Sequence, residues 1–289
     1  MQVPAAFQYR RATSVEHALS LLAEYGPESR IVAGGHSLLP MMKLRLAHPE
    51  ALVDINDLTE LAGVYVEDGA LVIGAMARHA HLLASREAAC FAILHDAERV
   101  IADPIVRNRG TVGGSLCQAD PSEDLSAVFA ALRAAMVIHG PDGIRTVAAR
   151  DFFVGPYETV VAQDELLASI RVPLRPSASA YVKVDRRAGD WAVGAAGAVL
   201  SVEGDVITEA GIGLTALGAS RFVAAEAEDF LTGGPPTEER FADAGRIAAR
   251  HCRPVADQRG PVDYKRHLAG ELVTRALRRA LGRCSCGSC

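Results

Sequence analysis

Short helical and strand-like patterns alternate along the first half of the chain. Residues 13–26 place apolar side chains three and four positions apart, which predicts an amphipathic helix ending at Gly26. Apolar strand patterns follow at 30–33 and 52–55, and residues 64–74 have the alternation of a β-hairpin. Further along, the pattern predicts a helix over 79–101 stopped by Asp103–Pro104, a glycine-rich stretch at 110–115, a helix from about Pro121, a hairpin over 135–148 and a strand over 167–172.

The pattern changes after a connector rich in Pro and Ser at 173–179. Beyond it lie three strand-like segments and then three helical patterns: about 180–184, 192–202 and 206–216, followed by 219–232, 237–252 and 263–283. A small antiparallel sheet followed by helices is an α+β arrangement. We therefore expect two domains and a tail: residues 1–174, residues 178–284, and a cysteine-containing tail at 285–289.

Length and net charge indicate how many domains the chain forms and which kinds of partner it is not expected to bind. The chain has 289 residues, more than one hydrophobic core usually organises, and its formal net charge of −5 argues against a nucleic-acid or acidic-membrane partner. No apolar run approaches the length of a membrane span, and the first residues lack the features of a signal peptide, so we expect a cytoplasmic protein. Arginines near the C-terminus are interpreted as cations that complement a helix dipole: Arg275, Arg278, Arg279 and Arg283.

The six cysteines do not indicate a disulfide framework. Three are scattered and are interpreted as small buried apolar residues: Cys90, Cys117 and Cys252. The other three cluster at the chain end without a fourth ligand, which favours an unstructured tail over a metal clip: Cys284, Cys286 and Cys289. We expect no metal site in this chain.

Familiar nucleotide-binding signatures are absent from the sequence or misplaced in it. There is no Gly-x-x-x-x-Gly-Lys-Ser/Thr sequence, which excludes a P-loop. Residues 211–216 fit a loose Gly-x-Gly-x-x-Ala pattern, but they lie inside a strand-like run and begin no βαβ unit. We interpret them as a strand.

Two double-glycine clusters are more informative. The first, Ile31-Val-Ala-Gly-Gly-His-Ser-Leu38, is a strand that runs into a turn, and the second is Arg107-Asn-Arg-Gly-Thr-Val-Gly-Gly-Ser115. Successive glycines let consecutive backbone N–H groups point at one anion, and each cluster has a hydroxyl residue beside it. Two such turns suit a diphosphate held from both ends. Downstream, Asp124 either accepts hydrogen bonds from a ribose or is a charge at a helix N-terminus.

These residues resemble a known family. The stretches Ala33-Gly-Gly-His-Ser37 and Arg109-Gly-Thr-Val-Gly-Gly-Ser115, followed by Ala119-Asp-Pro-Ser-x-Asp124, resemble the FAD-binding medium subunit of the xanthine dehydrogenase and aerobic carbon monoxide dehydrogenase family of molybdenum hydroxylases. The stretch from Gly34 to Leu46 is most similar to the carbon monoxide dehydrogenase branch. The resemblance extends from Phe7 to about Leu281 and leaves out the cysteine tail.

The resemblance implies an α+β fold. Its N-terminal FAD-binding domain would consist of two α/β subdomains with FAD between them, and its C-terminal domain of a three-stranded antiparallel sheet plus a helical bundle. The implied FAD-binding residues are Val32, Ala33, Gly34, Gly35, His36, Ser37, Leu38, Ile101, Thr111, Val112, Gly113, Gly114, Ser115, Asp124, Leu167, Lys183 and Trp191. No catalytic residue and no metal ligand are implied.

Individual roles also follow from the resemblance. Residues 32–37 and 111–115 would hold the diphosphate, and Asp124 would bind the ribose or adenine side. Leu167 would pack on the flavin or adenine, Trp191 and Ile101 would lie near the flavin, and Lys183 would approach the pyrimidine edge, where a cation stabilises reduced flavin. Without the family, Lys183 would be interpreted as a solvated charge at a strand end. We interpret His79 and His81 as ordinary surface or capping residues.

The implied function is electron transfer within an oxidoreductase complex. A large subunit would carry the molybdenum cofactor and hydroxylate the substrate, and a small subunit would pass electrons through [2Fe-2S] clusters to FAD in this chain and on to an external acceptor. We expect a dimer of such heterotrimers, with the residues that select the substrate on another chain. Two alternatives stay open: a stand-alone FAD-dependent oxidase or reductase, and a nucleotide-binding scaffold without redox function.

Overall fold

A small parallel sheet opens the chain in a computed structural model that describes residues 3–284. The elements are β1 (Gln8–Arg11), α1 (Val15–Tyr25), β2 (Ser29–Val32), α2 (Leu38–Lys43) and β3 (Ala51–Asp54). The strands are parallel in the order β1-β3-β2. Ser14 caps α1 by accepting a hydrogen bond from the backbone N–H of His17, and Val15 and Leu22 pack in one core with Val53 of β3. The predicted amphipathic helix is confirmed.

A five-stranded antiparallel sheet with its helices follows. The elements of this region are β4 (Val64–Glu67), β5 (Ala70–Gly74), α3 (His79–Ala84), α4 (Ala92–Val100), α5 (Pro104–Arg109), α6 (Val112–Gln118), α7 (Asp124–Ala131), β6 (Ala135–Gly140), β7 (Gly143–Ala148), α8 (Ala149–Phe152), β8 (Phe153–Gly155), β9 (Glu158–Thr159) and β10 (Leu166–Pro173). Strands β8 and β9 form a separate two-stranded sheet. The order β4-β5-β10-β6-β7 places the late strand β10 at the centre. Both predicted hairpins, β4–β5 and β6–β7, are confirmed.

Several helix boundaries predicted for this region differ from those in the structure. The helix predicted over 79–101 is divided into α3, a 3-10 turn at Glu87–Cys90 and α4. Asp103–Pro104 begins a helix rather than only stopping one, because the Asp103 carboxylate caps α5 and Pro104 occupies its first turn, where no amide donor is needed. The glycine-rich stretch contains α6, and the next helix starts at Asp124 rather than near Pro121.

The C-terminal region has the predicted antiparallel sheet and helices. Its elements are β11 (Ala178–Val184), β12 (Gly194–Glu203), β13 (Val206–Thr215), α9 (Ala225–Leu231), α10 (Glu238–His251) and α11 (Val262–Cys284). Helices α10 and α11 share a core with β12 and β13, which includes Phe241, Leu272 and Ile212. The α+β class and the three-stranded sheet with its helices are therefore confirmed.

The two halves of the chain pack directly on each other. Helix α7 lies against β13, where the carbonyl oxygen of Ala127 occupies the space that a side chain on Gly213 would need. The glycines of the 211–216 pattern therefore serve close packing within a strand, as interpreted from the sequence. Asp96 of α4 pairs with Arg279 at 2.9 Å and with Arg283 at 2.8 Å. These two arginines join α11 to the N-terminal half, a role that the helix-dipole interpretation did not include, and Arg283 also lies in the last turn of the helix as that interpretation expects.

Across residues 3–284, no helix is both long enough and apolar enough to cross a membrane.

Candidate functional site

The first glycine turn connects β2 to α2. Gly35 has a φ of +79°, a left-handed conformation that glycine adopts without strain. Within the described chain, the backbone N–H groups from Gly34 to Ser37 donate to no other atom, and the Ser37 hydroxyl makes no capping bond to α2. No protein acceptor competes for this row of amides, so it is available to an anionic ligand.

The second glycine cluster is the start of a helix. Thr111 caps α6, with its hydroxyl oxygen accepting a hydrogen bond from the Gly114 N–H at 3.1 Å. The N–H groups of Val112 and Gly113 donate to carbonyl oxygens that precede α3 (Ala77 at 2.9 Å and Ala75 at 2.8 Å), and the Ser115 N–H donates to Thr111 at 3.0 Å. The amides from Val112 to Ser115 are therefore already used, and of residues 111–115 only Thr111 keeps an N–H without an acceptor in the described part of the chain, so the expected second row of free donors is not formed.

The two turns touch each other. A Cβ added to Gly34 would lie 2.6 Å from the carbonyl oxygen of Arg109 and 2.9 Å from the Cα of Gly110. Arg78 donates to the same carbonyl and, at 2.7 Å, to the side-chain oxygen of Asn56. The Asn56 amide donates in turn to the carbonyl of Ala33 at 2.8 Å. Arg78 and Asn56 thus fix the first turn to the second, a role that no local pattern in the sequence indicates.

One cavity of about 1400 Å³ lies between these turns and the elements around them. It exceeds the usual range of about 300–1,000 Å³ for small-molecule pockets, as suits an extended dinucleotide. The sequence-implied residues that line it are Val32, Ala33, Gly34, Gly35, His36, Ser37, Leu38, Ile101, Thr111, Gly113, Gly114, Ser115, Asp124, Leu167, Lys183 and Trp191. Val112 is fully buried in the core beneath α6 and does not reach the cavity.

Asp124 and Lys183 form a buried ion pair at the cavity wall. Lys183 Nζ lies 2.8 Å from Asp124 Oδ2 and also donates to the carbonyl of Val100, while the Tyr181 hydroxyl donates to Asp124 Oδ1 at 2.7 Å. Only 3% of the lysine side chain is exposed, so it is not the solvated strand-end charge. Burial raises the pKa of Asp124, and the Lys183 ammonium opposes that rise. The third N–H of the ammonium is left for an acceptor in the cavity.

Glu123 organises the start of α7 beside this pair. Its carboxylate accepts hydrogen bonds from the backbone N–H groups of Leu125 and Ser126, each at 2.7 Å, and from the Ser115 hydroxyl at 3.0 Å. The Ser115 hydroxyl, expected to face a diphosphate, therefore joins α6 to α7 instead. Asp124 is also the first residue of α7, so its carboxylate is both a helix N-terminal charge and part of the cavity wall.

The apolar wall of the cavity is contributed by separate elements. Leu167 is buried in β10, and Ile101 follows the last residue of α4. Trp191 lies in the loop before β12 with 45% of its surface exposed, so it is neither in a strand nor in the core. His36 is exposed at the first turn. The surface interpretation is wrong for His79, which is buried and lies 3.0 Å from the Glu98 carboxylate, whereas His81 is exposed.

The chemistry of the lining fits a flavin dinucleotide better than a metal. Among residues 3–284, no group of His, Cys, Asp and Glu is arranged to hold a metal ion. Cys286 and Cys289 of the sequence cluster lie outside the described residues, and Cys284 ends α11. Free backbone donors at the first turn suit a diphosphate, and the Asp124–Lys183 pair and apolar side chains suit the polar and aromatic parts of such a ligand.

Comparisons with known proteins cover nearly the whole chain. Residues 5–175 match the family model of the FAD binding domain in molybdopterin dehydrogenase, and residues 179–280 match that of the CO dehydrogenase flavoprotein C-terminal domain. The chain is 40% identical over 286 residues to the carbon monoxide dehydrogenase medium chain of Hydrogenophaga pseudoflava, covering 98% of this chain and 100% of that protein. It is 35% identical to the 6-hydroxypseudooxynicotine dehydrogenase complex subunit alpha of Paenarthrobacter nicotinovorans, covering 97% and 96%.

Solved structures give the same result. A carbon monoxide dehydrogenase from Hydrogenophaga pseudoflava that lacks the Mo-pyranopterin moiety of its molybdenum cofactor contains a chain similar to this one, with a TM-score of 0.94 and 41% identity. The match covers 98% of this chain and 99% of that chain.

Proposed function

The chain belongs to the family of FAD-binding medium subunits of carbon monoxide dehydrogenase-type molybdenum hydroxylases, and on this premise we propose that it holds FAD between its two glycine turns and serves as an electron-transfer subunit. The observation that carries the proposal is the row of backbone N–H groups from Gly34 to Ser37, which line the cavity and have no acceptor in the described chain. Such a row offers a diphosphate the donors that its oxygens need.

Different residues bind different parts of FAD. The amides of the first turn and the Ser37 hydroxyl bind the diphosphate, while α6 forms a rigid wall whose own amides are satisfied. Lys183 places its remaining N–H and its charge in the cavity, and Asp124 keeps that ammonium in position. Leu167, Ile101 and Trp191 contribute apolar surface that excludes water from the ring system.

Bound FAD would supply the redox chemistry, as the group that takes electrons from the [2Fe-2S] clusters of a small partner subunit and passes them to an external acceptor. This chain binds and orients the flavin, and a large subunit carries the molybdenum cofactor. Exposed apolar side chains at the cavity rim, Leu46 at 71% and Trp191 at 45%, support a partner covering this edge. The assembly is a dimer of heterotrimers.

We also propose that residues 1–174 and 178–284 are separate domains. The two family models, which meet between residues 175 and 179, support that division.

The test compares the chain purified alone with the chain co-expressed with the two partner subunits. Alone, it should contain one FAD per chain, released on denaturation, and should oxidise neither carbon monoxide nor a small organic substrate. With its partners, it should reduce a dye acceptor when the complex is given its substrate. A Gly34→Ala chain serves as the FAD-free control. Enzymatic turnover by the isolated chain would instead identify a stand-alone flavin oxidase or reductase.

A further inference from the structure

The His79 ring packs against the second glycine turn, with Nδ1 hydrogen-bonded to a carboxylate and Nε2 without a partner in the described part of the chain. Its Nδ1 lies 3.0 Å and 3.2 Å from the two carboxylate oxygens of Glu98, and only 4% of the histidine side chain and none of the glutamate side chain is exposed. His79 lines the cavity, and its Nε2 makes no hydrogen bond within residues 3–284. The Cδ2–Nε2 edge of the ring lies against Gly110, close enough that a Cβ there would be 2.9 Å from Cδ2.

The burial of Glu98 determines which nitrogen carries a proton. A histidine with its proton only on Nδ1, beside an ionised Glu98, would leave a net negative charge buried near Glu123 and Asp124. One more proton makes the pair neutral, and it is then either an imidazolium with a carboxylate or a neutral imidazole with a carboxylic acid. Nε2 carries a hydrogen in the imidazolium, and also in the neutral imidazole when the carboxylic acid of Glu98 donates its proton to Nδ1. Burial lowers the pKa of His79, but the Glu98 carboxylate, together with Glu123 and Asp124, raises it overall. Burial raises the pKa of Glu98 against the effect of His79. The nearby Arg107 guanidinium lowers the pKa of Glu98 only in part.

We infer that His79 is a further FAD-binding residue, which Glu98 positions so that Nε2–H donates a hydrogen bond to a phosphate or ribityl oxygen of FAD beside Gly110. This inference rests on the proposed FAD site and adds to it a donor on the side where the amides of α6 are already used. The first turn binds through backbone N–H groups, whereas the second side binds through a buried side chain. Within residues 3–284, the Glu98 carboxylate hydrogen-bonds only with His79 and acts through that ring.

The test measures FAD affinity in full-length apoprotein by the change in flavin fluorescence at neutral pH. Replacing both partners with leucine, His79→Leu with Glu98→Leu, removes the donor without leaving a buried polar group unpaired. The matched variant, His79→Gln with Glu98→Leu, returns an N–H donor at the position of Nε2. We expect the dileucine variant to bind FAD about 10- to 100-fold more weakly, as for a lost hydrogen bond to a charged acceptor, and the glutamine variant to recover most of that loss. The thermal melting of the two apoproteins should be similar.

A measurement on the wild-type chain covers the case in which the leucine variant does not fold. In protein labelled with ¹⁵N-histidine, the Nε2–H resonance of His79, assigned from its absence in the glutamine variant, should shift when FAD is added. Equal FAD affinity in the two double variants, or a His79 resonance unmoved by FAD, would overturn the inference. A wild-type chain that takes up no FAD would overturn the proposed function as well, so the two failures are distinguishable.

Discussion

The two glycine turns have similar sequences, but their backbone N–H groups differ in whether they have acceptors within the protein. At the first, the N–H groups from Gly34 to Ser37 line the cavity and donate to no atom of the described chain. At the second, the N–H groups from Val112 to Ser115 all donate within the protein. The difference arises because the carbonyls of Ala75 and Ala77 lie beside the second turn and complete the first turn of a helix. A Gly-Gly pair next to hydroxyl residues therefore permits an anion-binding turn but does not specify one.

The largest effect is expected where the turns meet. In Gly34→Ala, the new methyl group would collide with the backbone of Arg109 and Gly110, which cannot move without displacing the second turn. We expect the purified protein to contain no FAD, measured as the ratio of flavin to protein absorbance. The control is Gly282→Ala in α11, where an added Cβ meets no atom within 4 Å and full FAD content should remain. Full occupancy in Gly34→Ala would show that the turns do not need this contact.

Removing the link between the turns should have the next largest effect. Arg78→Met leaves the Arg109 carbonyl and the Asn56 side chain without their donor. We expect the free energy of unfolding in urea to fall by about 1.5–3 kcal/mol, with a parallel loss of FAD affinity. Arg86→Met, at an exposed position, is the control and should change neither quantity. If FAD affinity is unchanged while stability falls, the link supports the fold and not the site.

The hydroxyl groups of the two turns should give opposite results. Thr111→Val removes the cap of α6 and should cost about 1 kcal/mol of stability with little change in FAD affinity. Ser37→Ala should leave stability unchanged, because its hydroxyl makes no bond to α2, but should weaken FAD binding by about 3- to 10-fold. Urea unfolding and flavin fluorescence measure both properties on the same samples. If the threonine variant lost more FAD affinity than the serine variant, the assignment of ligand binding to the first turn and a structural role to the second would be contradicted.

The smallest effect is a pH dependence of stability from the pair behind the second turn. The pKa values of Glu98 and His79 are both raised, so above about pH 4.5, the ordinary value for Glu, the folded chain binds more protons than the unfolded chain. Their contribution to stability is complete at lower pH and is lost as pH rises through the raised values. The unfolding free energy of the wild type minus that of the dileucine variant at His79 and Glu98 should therefore decline as the pH rises above about 4.5. A difference independent of pH would contradict this assignment.

Contacts between distant residues account for most of what the sequence pattern missed. Asn56 and Arg78 join the turns across 22 residues of sequence, and the His79–Glu98 pair spans 19. The burial of His79 gives no signal in the sequence because a short helix shows no clear apolar face; the packing of α3 on α4 and of Gly110 against the ring buries it. The helix predicted over 79–101 failed for a related reason, since apolar spacing continued across breaks that are set by packing.

The sequence alone determined the α+β class, the hairpins, the C-terminal sheet with its helices and the family, because each depends on periodicity or on short spacings that local backbone geometry enforces. Sixteen of the seventeen residues that the family resemblance implied line the cavity, whereas Val112 does not, and His79 lines the cavity although it was not implied. Only the tertiary structure decided which glycine turn keeps its amides free, which carboxylates are buried and which side chains pair. Those properties depend on the acceptors and charges that other segments bring within about 3 Å, and a hydrogen bond at that range carries no signal in the local sequence.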